Sequence, residues 1–271
     1  MNKLILVVIY DVNLSDSSTI NSLINSVEEI KGDTIFVWDN SKKTQEYDNI
    51  KSFFNDNGVR FVYEHHPENL PLSRLYNSVI QRFNSTHDYL FLFDHDSTFD
   101  KRFFLEVDKY KNRRIHLFLP IVKYKNKIVS PTRKIFLKGF YFNNKPSGFK
   151  EASNISAINS GMVISFEFLR TKFTGYDERL KFYGTDDYFM MNYCKNEEKL
   201  FILNYEFEHD LTLSTLNQPS DKLINSYKQM LEAWSVIYSD SSLIYLVKMY
   251  SVVHSMYTAF KFKNKRFLLW K

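Results

Sequence analysis

Tyr89-Leu90-Phe91-Leu92-Phe93-Asp94-His95-Asp96 is an unbroken apolar run that stops abruptly at two carboxylates. Apolar residues at every position, rather than at every second one, mark a strand buried on both faces. The same pattern occurs upstream at residues 4–10 and 34–39, and more briefly at 60–63. Between these runs, helical spacing predicts helices over 15–30, over 45–57 with Gly58 as C-cap, and over 72–83. The last of these sets Leu72, Leu75, Tyr76, Val79, Ile80 and Phe83 on one face. Strands alternating with helices predict an α/β fold with a mostly parallel sheet flanked by helices. In such sheets ligands gather outside the carboxyl ends of the strands. Asp11, Asp39 and Asp94 are each the first carboxylate after a strand.

Downstream, residues 115–122, 161–165 and 200–208 read as further strands and 185–195 as a helix. The basic, aromatic stretch 128–142 predicts hairpins or a mobile loop. Residues 145–158, with Pro146, Ser147 and Gly148, predict a loop. From Asp221 the stripe Leu223, Tyr227, Met230, Leu231, Trp234, Ile237 and Tyr238 predicts a helix, followed by a second over 242–260. The expected division is an α/β domain over 1–215 and a C-terminal helical extension over 216–271.

Composition narrows the class. Hydrophobic residues make up 44% of 271, enough for a sizeable core. Seven glycines and six prolines are few for an all-β chain of tight turns. The single cysteine, Cys194, reads as a packing residue and excludes a disulfide framework, which fits a cytoplasmic setting. No signal-peptide pattern is visible, and the apolar run at 4–9 meets Asp11 too early for a membrane span. The net charge of +5 is modest, but residues 260–271 interleave five basic residues with Phe260, Phe262, Phe267 and Trp270. That pattern suits contact with an anionic membrane surface, and equally a basic terminal helix packed on the domain. Nucleic acid is disfavoured as a partner, because acidic strand ends repel phosphates.

Asp94 and Asp96 suit a hard divalent cation, Mn²⁺ or Mg²⁺, which takes oxygen ligands and keeps positions open for phosphates. A plain turn in which Asp96 or Ser97 caps the next helix has the same spelling. Asp39-Asn40-Ser41 could accept hydrogen bonds from a base or a ribose, or form an ordinary polar turn. In Asn69–Asn77, Arg74 could face a diphosphate, and Asn77 could touch a nucleotide or brace the sheet. Asp186 and Asp187 open a helix after Gly184-Thr185, where the dipole favours an ionised general base; capping is the alternative role. Met190 and Met191 are simplest as core. His209 follows a strand and could complete a metal shell or be structural.

In order and spacing, LILVVIYDVN (4–13), FVWDNS (36–41), NLPLSRLYN (69–77), YLFLFDHDSTF (89–99), NSGMVIS (159–165), GYDERLKFYGTDDYFM (175–190) and FEHDLTL (207–213) resemble family 2 glycosyltransferases of the GT-A fold. Bacterial enzymes of O-antigen, capsule and other surface-polysaccharide synthesis, rhamnosyltransferase-like members among them, are the nearest in character. The resemblance implies that Tyr10 and Asp39 hold the nucleoside, with Asp11, Arg74, Asn77 and Asp94 also on the donor side. Asp96 would be the main metal ligand, Asp94 would share that role, and His209 would lie near the metal. Ser160 and Gly161 would line the donor-sugar or the acceptor side, and Asp186 or Asp187 would be the base, Asp186 being favoured. The implied reaction is an inverting hexosyl or deoxyhexosyl transfer from a UDP- or dTDP-sugar to a lipid-linked saccharide, at the inner face of the plasma membrane. The chain departs from the family pattern at Pro71, Leu72 and Arg74, and at Tyr188, where many relatives carry a further acid. A nucleotidyltransferase is a competing expectation, disfavoured because residues 8–18 hold no glycine for a phosphate loop. A non-catalytic carbohydrate-binding protein is the other.

Overall fold

The computed structural model describes residues 1–209 and 221–269. Its centre is β1 (Lys3–Ile9), in which every residue is buried. It pairs in parallel with β2 (Thr34–Asp39) on one side and β4 (Tyr89–Asp94) on the other, and β2 pairs in parallel with β3 (Arg60–His65). The crossovers carry α1 (Ser18–Ile24), α2 (Asp48–Asp56) and α3 (Leu72–Phe83). Successive side chains of a strand point to opposite faces. Leu4, Leu6 and Val8 accordingly join one core with Leu75, Tyr76 and Val79 of α3, while Ile5, Val7 and Ile9 join another with Ile20, Leu23 and Phe54.

After β4 come β5 (Ser97–Thr98), α4 (Arg102–Asp108), β6 (Leu117–Tyr124), β7 (Lys127–Ser130), β8 (Thr132–Ile135), β9 (Lys138–Tyr141), β10 (Gly148–Glu151) and β11 (Ile155–Ser156). They are followed by β12 (Val163–Ser165), α5 (Phe166–Thr171), α6 (Thr185–Asn196), β13 (Lys199–His209), α7 (Asp221–Ile237) and α8 (Ile244–Lys261). The main sheet runs β10-β13-β6-β12-β4-β1-β2-β3, and β11-β8-β9 form a small second sheet. The fold is a mixed α/β sheet, mostly parallel and flanked by helices. β12 is antiparallel to both β4 and β6, and β10 is antiparallel to β13.

Several local expectations change. Residues 15–30 do not form one helix: short 3₁₀ turns at Leu14–Asp16 and Val27–Ile30 flank α1. The interruption falls at Ser17, whose hydroxyl caps α1 by accepting from the Ile20 N–H. Residues 145–158 are not all loop, since β10 and β11 pair there. The stretch 128–142 forms hairpins. The helix after the 94–97 loop, α4, begins only at Arg102, with Lys101 rather than Asp96 or Ser97 at its N-cap, and α5 lies where no helix was expected; α5 is capped by Ser165 and buries Phe166, Phe168 and Leu169.

The C-terminal helices pack onto this body. Leu223, Tyr227, Leu231 and Trp234 of α7 share a core with Val247 of α8 and with Leu137 between β8 and β9. Ala233 and Ile237 cover Leu180.

Gly161, just before β12, has φ of +80°, and a Cβ there would lie 2.6 Å from the Phe207 ring and 2.7 Å from Pro120. Both the backbone conformation and the close approach demand glycine. Gly161→Ala is expected to cost about 2–5 kcal/mol in urea unfolding, from strain plus overpacking. A loss below about 1 kcal/mol would mean that β6 and β13 yield easily at this point.

Candidate active site

The parallel register sets the site. Across β1, Ile9 is level with Asp39 and Val8 is level with Asp94. Two strand-end acids are thereby brought to one edge of the sheet.

The loop after β4 is held by hydroxyl groups. Thr19 Oγ1 donates to the Asp94 carbonyl and accepts from the Ser97 N–H at 3.0 Å. Ser17 Oγ donates to the His95 carbonyl at 2.7 Å. Ser160 Oγ accepts from the Asp94 N–H at 3.3 Å and lies 2.7 Å from Ser97 Oγ. The backbone of residues 94–97 is thus tied from α1 and from the approach to β12. The side chains of Asp94, His95 and Asp96 remain half-buried at the surface of the loop. β5 pairs antiparallel with β13, which sets the backbone of His209 opposite Ser97, next to Asp96. The His209 side chain lies outside the described residues. Among the described residues no group of three or more His, Cys, Asp or Glu side chains is assembled as a metal site. The donor set at 94–96 is nevertheless carboxylate oxygen, which fits Mn²⁺ or Mg²⁺.

Beside it, at the ends of β1 and β2, lies an open cavity of about 530 Å³ lined by Asp11, Ser41, Lys42 and Lys43 among others. Asp11 is exposed, with φ of 51°, and its N–H donates to Ser41 Oγ at 2.8 Å. Tyr10 is exposed at the end of β1. Asp39 is fully buried. Its Oδ1 accepts from the Ser41 N–H at 2.8 Å, and its Oδ2 accepts from the Tyr63 hydroxyl at 2.5 Å. Burial first, and this bond second, push the Tyr63 phenol above its ordinary pKa. Asp39 therefore supports the cavity wall through Ser41 rather than lining it.

Two residues of the third-helix motif are engaged within the protein. Arg74 is exposed, with its Nε 3.3 Å from Glu178. Asn77 donates to the Tyr176 carbonyl at 2.9 Å and accepts from the Tyr176 N–H at 2.7 Å. Of the two roles open to Asn77 in the sequence, its bonds are those of a brace.

Asp186 and Asp187 stand in the first turn of α6, after Gly184 at φ 83°. A Cβ on Gly184 would come within 2.6 Å of Ala233, so α7 closes directly over this turn. The two acids differ sharply. Asp187 Oδ1 accepts from Lys134 Nζ and, at 2.9 Å, from Ser156 Oγ. Asp186 is half-buried and accepts a short local bond from the Asp187 N–H, at 2.8 Å. Burial, then the neighbouring Asp187 charge, push its carboxyl up to about 7, against the smaller opposing pull of backbone N–H groups and Lys134.

Tyr76, read from the sequence only as a core residue, joins the two halves. Its buried phenol is raised by burial and then by the fields of Asp94, Tyr176 and Asp186. Asn159 Nδ2 reaches toward the Tyr76 hydroxyl at 3.5 Å and donates to Thr185 Oγ1 at 3.0 Å. Ser17, Thr19, Tyr63, Tyr76, Lys134 and Asn159 all escaped the sequence reading. Asn159 and Tyr76 had a local signal, lying in the NSGMVIS and NLPLSRLYN stretches.

A family model described as Glycosyl transferase family 2 matches residues 5–170. No curated protein matches the chain. Among solved structures, Staphylococcus aureus TarS 1-349 is 13% identical, with a TM-score of 0.59 over 88% of this chain and 65% of its own. GalNAc-T7, solved with UDP, GalNAc and Mn²⁺, is 10% identical, with a TM-score of 0.63 over 88% of this chain and 48% of its own. The mannosyltransferase PcManGT from Pyrobaculum calidifontis, in complex with GDP-Man and Mn²⁺, is 9% identical, with a TM-score of 0.54 over 89% of this chain and 64% of its own. The chain thus spans less than two thirds of the length of these structures, and the likeness is one of fold. Because the family match covers both strand-end acids and the glycine turn into β12, the chain belongs to glycosyl transferase family 2, in the GT-A fold.

Proposed function

We propose that the chain is an inverting glycosyltransferase that moves a sugar from a nucleotide-sugar donor to a saccharide hydroxyl, with Asp186 as the general base. The observation that supports this is the Asn159-Ser160 pair: Ser160 Oγ takes the Asp94 N–H at 3.3 Å while Asn159 Nδ2 donates to Thr185 Oγ1 at 3.0 Å, so adjacent residues link the loop of a donor-side acid to the turn of a base candidate. TarS has been solved with UDP-GlcNAc and PcManGT with GDP-Man, which supports a nucleotide-sugar donor here. A UDP- or dTDP-hexose or deoxyhexose is the donor of choice. The cavity between Asp11 and Lys43 would take the nucleoside, with Tyr10 beside it and Asp39 and Ser41 stiffening its wall.

Asp96 and Asp94, with His209 at the adjoining strand end, would hold Mn²⁺ or Mg²⁺. When bound, the ion neutralises the charge that develops on the departing nucleoside diphosphate. Asp186 accepts the acceptor hydroxyl's proton while that oxygen bonds to the anomeric carbon and the bond to the diphosphate breaks. Asp187, committed to Lys134 and Ser156, holds the α6 turn in position. Asn159 Oδ1 is buried and has no hydrogen-bond partner among the described residues, so it can receive a sugar hydroxyl. Ser160 and Gly161 keep the floor beneath the sugar narrow. Arg74 and Asn77 act outside this set, as an exposed ion pair and a brace.

The biological setting we favour is bacterial surface-polysaccharide synthesis, such as O-antigen or capsule, on a lipid-linked acceptor at the inner face of the membrane. No helix among the described residues is long and apolar enough to cross a membrane. α8 nevertheless exposes Tyr245, Met249, Val253, Met256, Tyr257 and Phe260, carries no acid, and leads into Lys261, Lys263 and Lys265. This extends the lipid-facing surface upstream of the 260–271 tail, whose last two residues lie outside the described chain.

Turnover should rise with pH through about 7, because a base with a raised pKa is lost to protonation below that value. Asp186→Asn should lower kcat by ~100-fold or more with little change in donor KM, and Asp187→Asn by ~10-fold or less. Equal losses, or the reverse order, would reassign the base. Asp186→Asn should also leave Tm at about pH 8 unchanged or higher, since it removes a desolvated charge. EDTA should abolish activity, Mn²⁺ or Mg²⁺ should restore it, and Asp96→Ala should prevent the rescue. Met249→Glu with Phe260→Glu should weaken binding to anionic phosphatidylglycerol vesicles by roughly tenfold while sparing donor hydrolysis in solution. Undiminished vesicle binding would remove α8 from the membrane contact.

A further inference from the structure

A second cavity, of about 890 Å³, opens beside the small β11-β8-β9 sheet and is lined by Arg133, Lys134, Lys145 and Lys150, with Tyr141 and Phe142. Glu151 is the one acid among its lining residues. Two of the four cations are already matched: Lys134 by Asp187, and Lys145 by Glu206 at 3.2 Å. Among the described residues Arg133 and Lys150 have no acidic partner. The Arg133 guanidinium lies over the Phe142 ring, 5.2 Å from its centre, an arrangement that orients a planar fork of N–H donors. Tyr141 is 61% exposed and offers a face for a sugar ring.

The position of this cavity gives it meaning. Lys134 belongs both to its wall and to the ion pair with Asp187, so the cavity begins one residue from Asp186. It shares no lining residue with the cavity at the ends of β1 and β2. A molecule anchored here could present a hydroxyl to Asp186 without entering the nucleoside cavity.

Resting on the glycosyltransferase reading, we propose that this groove is the acceptor site and that the acceptor carries phosphate, bound by Arg133 and Lys150 with its sugar against Tyr141. A neutral saccharide would leave these two cations unmatched, whereas a phosphate or phosphodiester pairs with a guanidinium in bidentate fashion. The phosphate can belong to a lipid carrier's diphosphate or to a phosphodiester-linked polymer.

The test uses the full chain with UDP and Mn²⁺ saturating, so that the donor side is filled. Calorimetric titration compares three probes: inorganic pyrophosphate, standing for a carrier headgroup; a glycerol-phosphate oligomer, standing for a polymer; and a neutral oligosaccharide. At least one phosphate probe should bind more tightly than the neutral one, and the stronger of the two names the source. Arg133→Ala and Lys150→Gln should each weaken it by roughly tenfold, with UDP affinity and Tm unchanged. Preferential binding of a neutral or uronate saccharide, or phosphate binding unaffected by both variants, would overturn the proposal. Failure of both UDP and dTDP to bind would instead count against the nucleotide-sugar reading, and the two variants would still report on phosphate in the groove.

Discussion

A strand buried on both faces must pair every backbone group, and β1 does so by running parallel between β2 and β4. Parallel pairing aligns the carboxyl ends, and pairing stops there. The loops that leave those ends must find other partners for their N–H and carbonyl groups. Here hydroxyl side chains take up that role. Ser17 and Thr19 receive or supply the bonds of the 94–97 loop, Ser160 takes the Asp94 N–H, and Ser41 takes the Asp11 N–H. The backbone of the loop that carries Asp94 and Asp96 is in this way held largely by hydroxyl groups. The site is therefore a consequence of how the sheet ends.

The same economy explains the inequality of Asp186 and Asp187. Two adjacent carboxylates at a half-buried helix start repel each other, and desolvation opposes ionising both. Lys134 and Ser156 stabilise one of them as a fixed charge. The second is left with its pKa raised, close to the range where a carboxylate can accept a proton at neutral pH. An acid held this way costs the fold stability progressively as pH rises from about 4, where the unfolded carboxyl ionises, to about 7. That is the usual relation between a site and its scaffold, in which a local sacrifice of stability is offset by packing elsewhere. The packing is visible: α7 closes over Gly184 so tightly that only glycine fits beneath Ala233.

What could be read in the sequence follows from what is local. The long buried strands were legible because a continuous apolar run has no competing interpretation in an α/β chain. The acids at their ends were legible because their positions follow from the strands. β12 has only three residues and turns antiparallel, so its role between β4 and β6 was not legible from its pattern. The interruption of the first helix was hidden, since Ser17 and Thr19 look like ordinary helix-start residues until β4 is placed beside them. Arg74 illustrates the limit: its motif suggested phosphate, but Glu178, about a hundred residues on, is its partner. Lys134 and Asp187 are likewise separated by 53 residues, and no spacing rule connects them.

Long-range pairs of this kind also explain why the two sides of the site differ in character. The donor side is built by the first hundred residues, where each strand is followed closely by its own loop, and the chemistry follows from topology. The other side is assembled from the hairpins of β8 and β9, the β10–β13 edge and the start of α6, with α7 packed behind. None of these elements repeats a fixed βα unit, so their side chains are set by tertiary contacts alone. A fold that fixes one half by topology and leaves the other half to variable hairpins can keep a common donor reaction while changing what it reaches. In this chain the less regular half is basic and aromatic, and it is tied to the first turn of α6 through Lys134 of β8 and Ser156 of β11, both on Asp187. A change that moved β8 would therefore also alter the electrostatic setting of Asp186, because the Lys134 charge opposes the rise of its carboxyl.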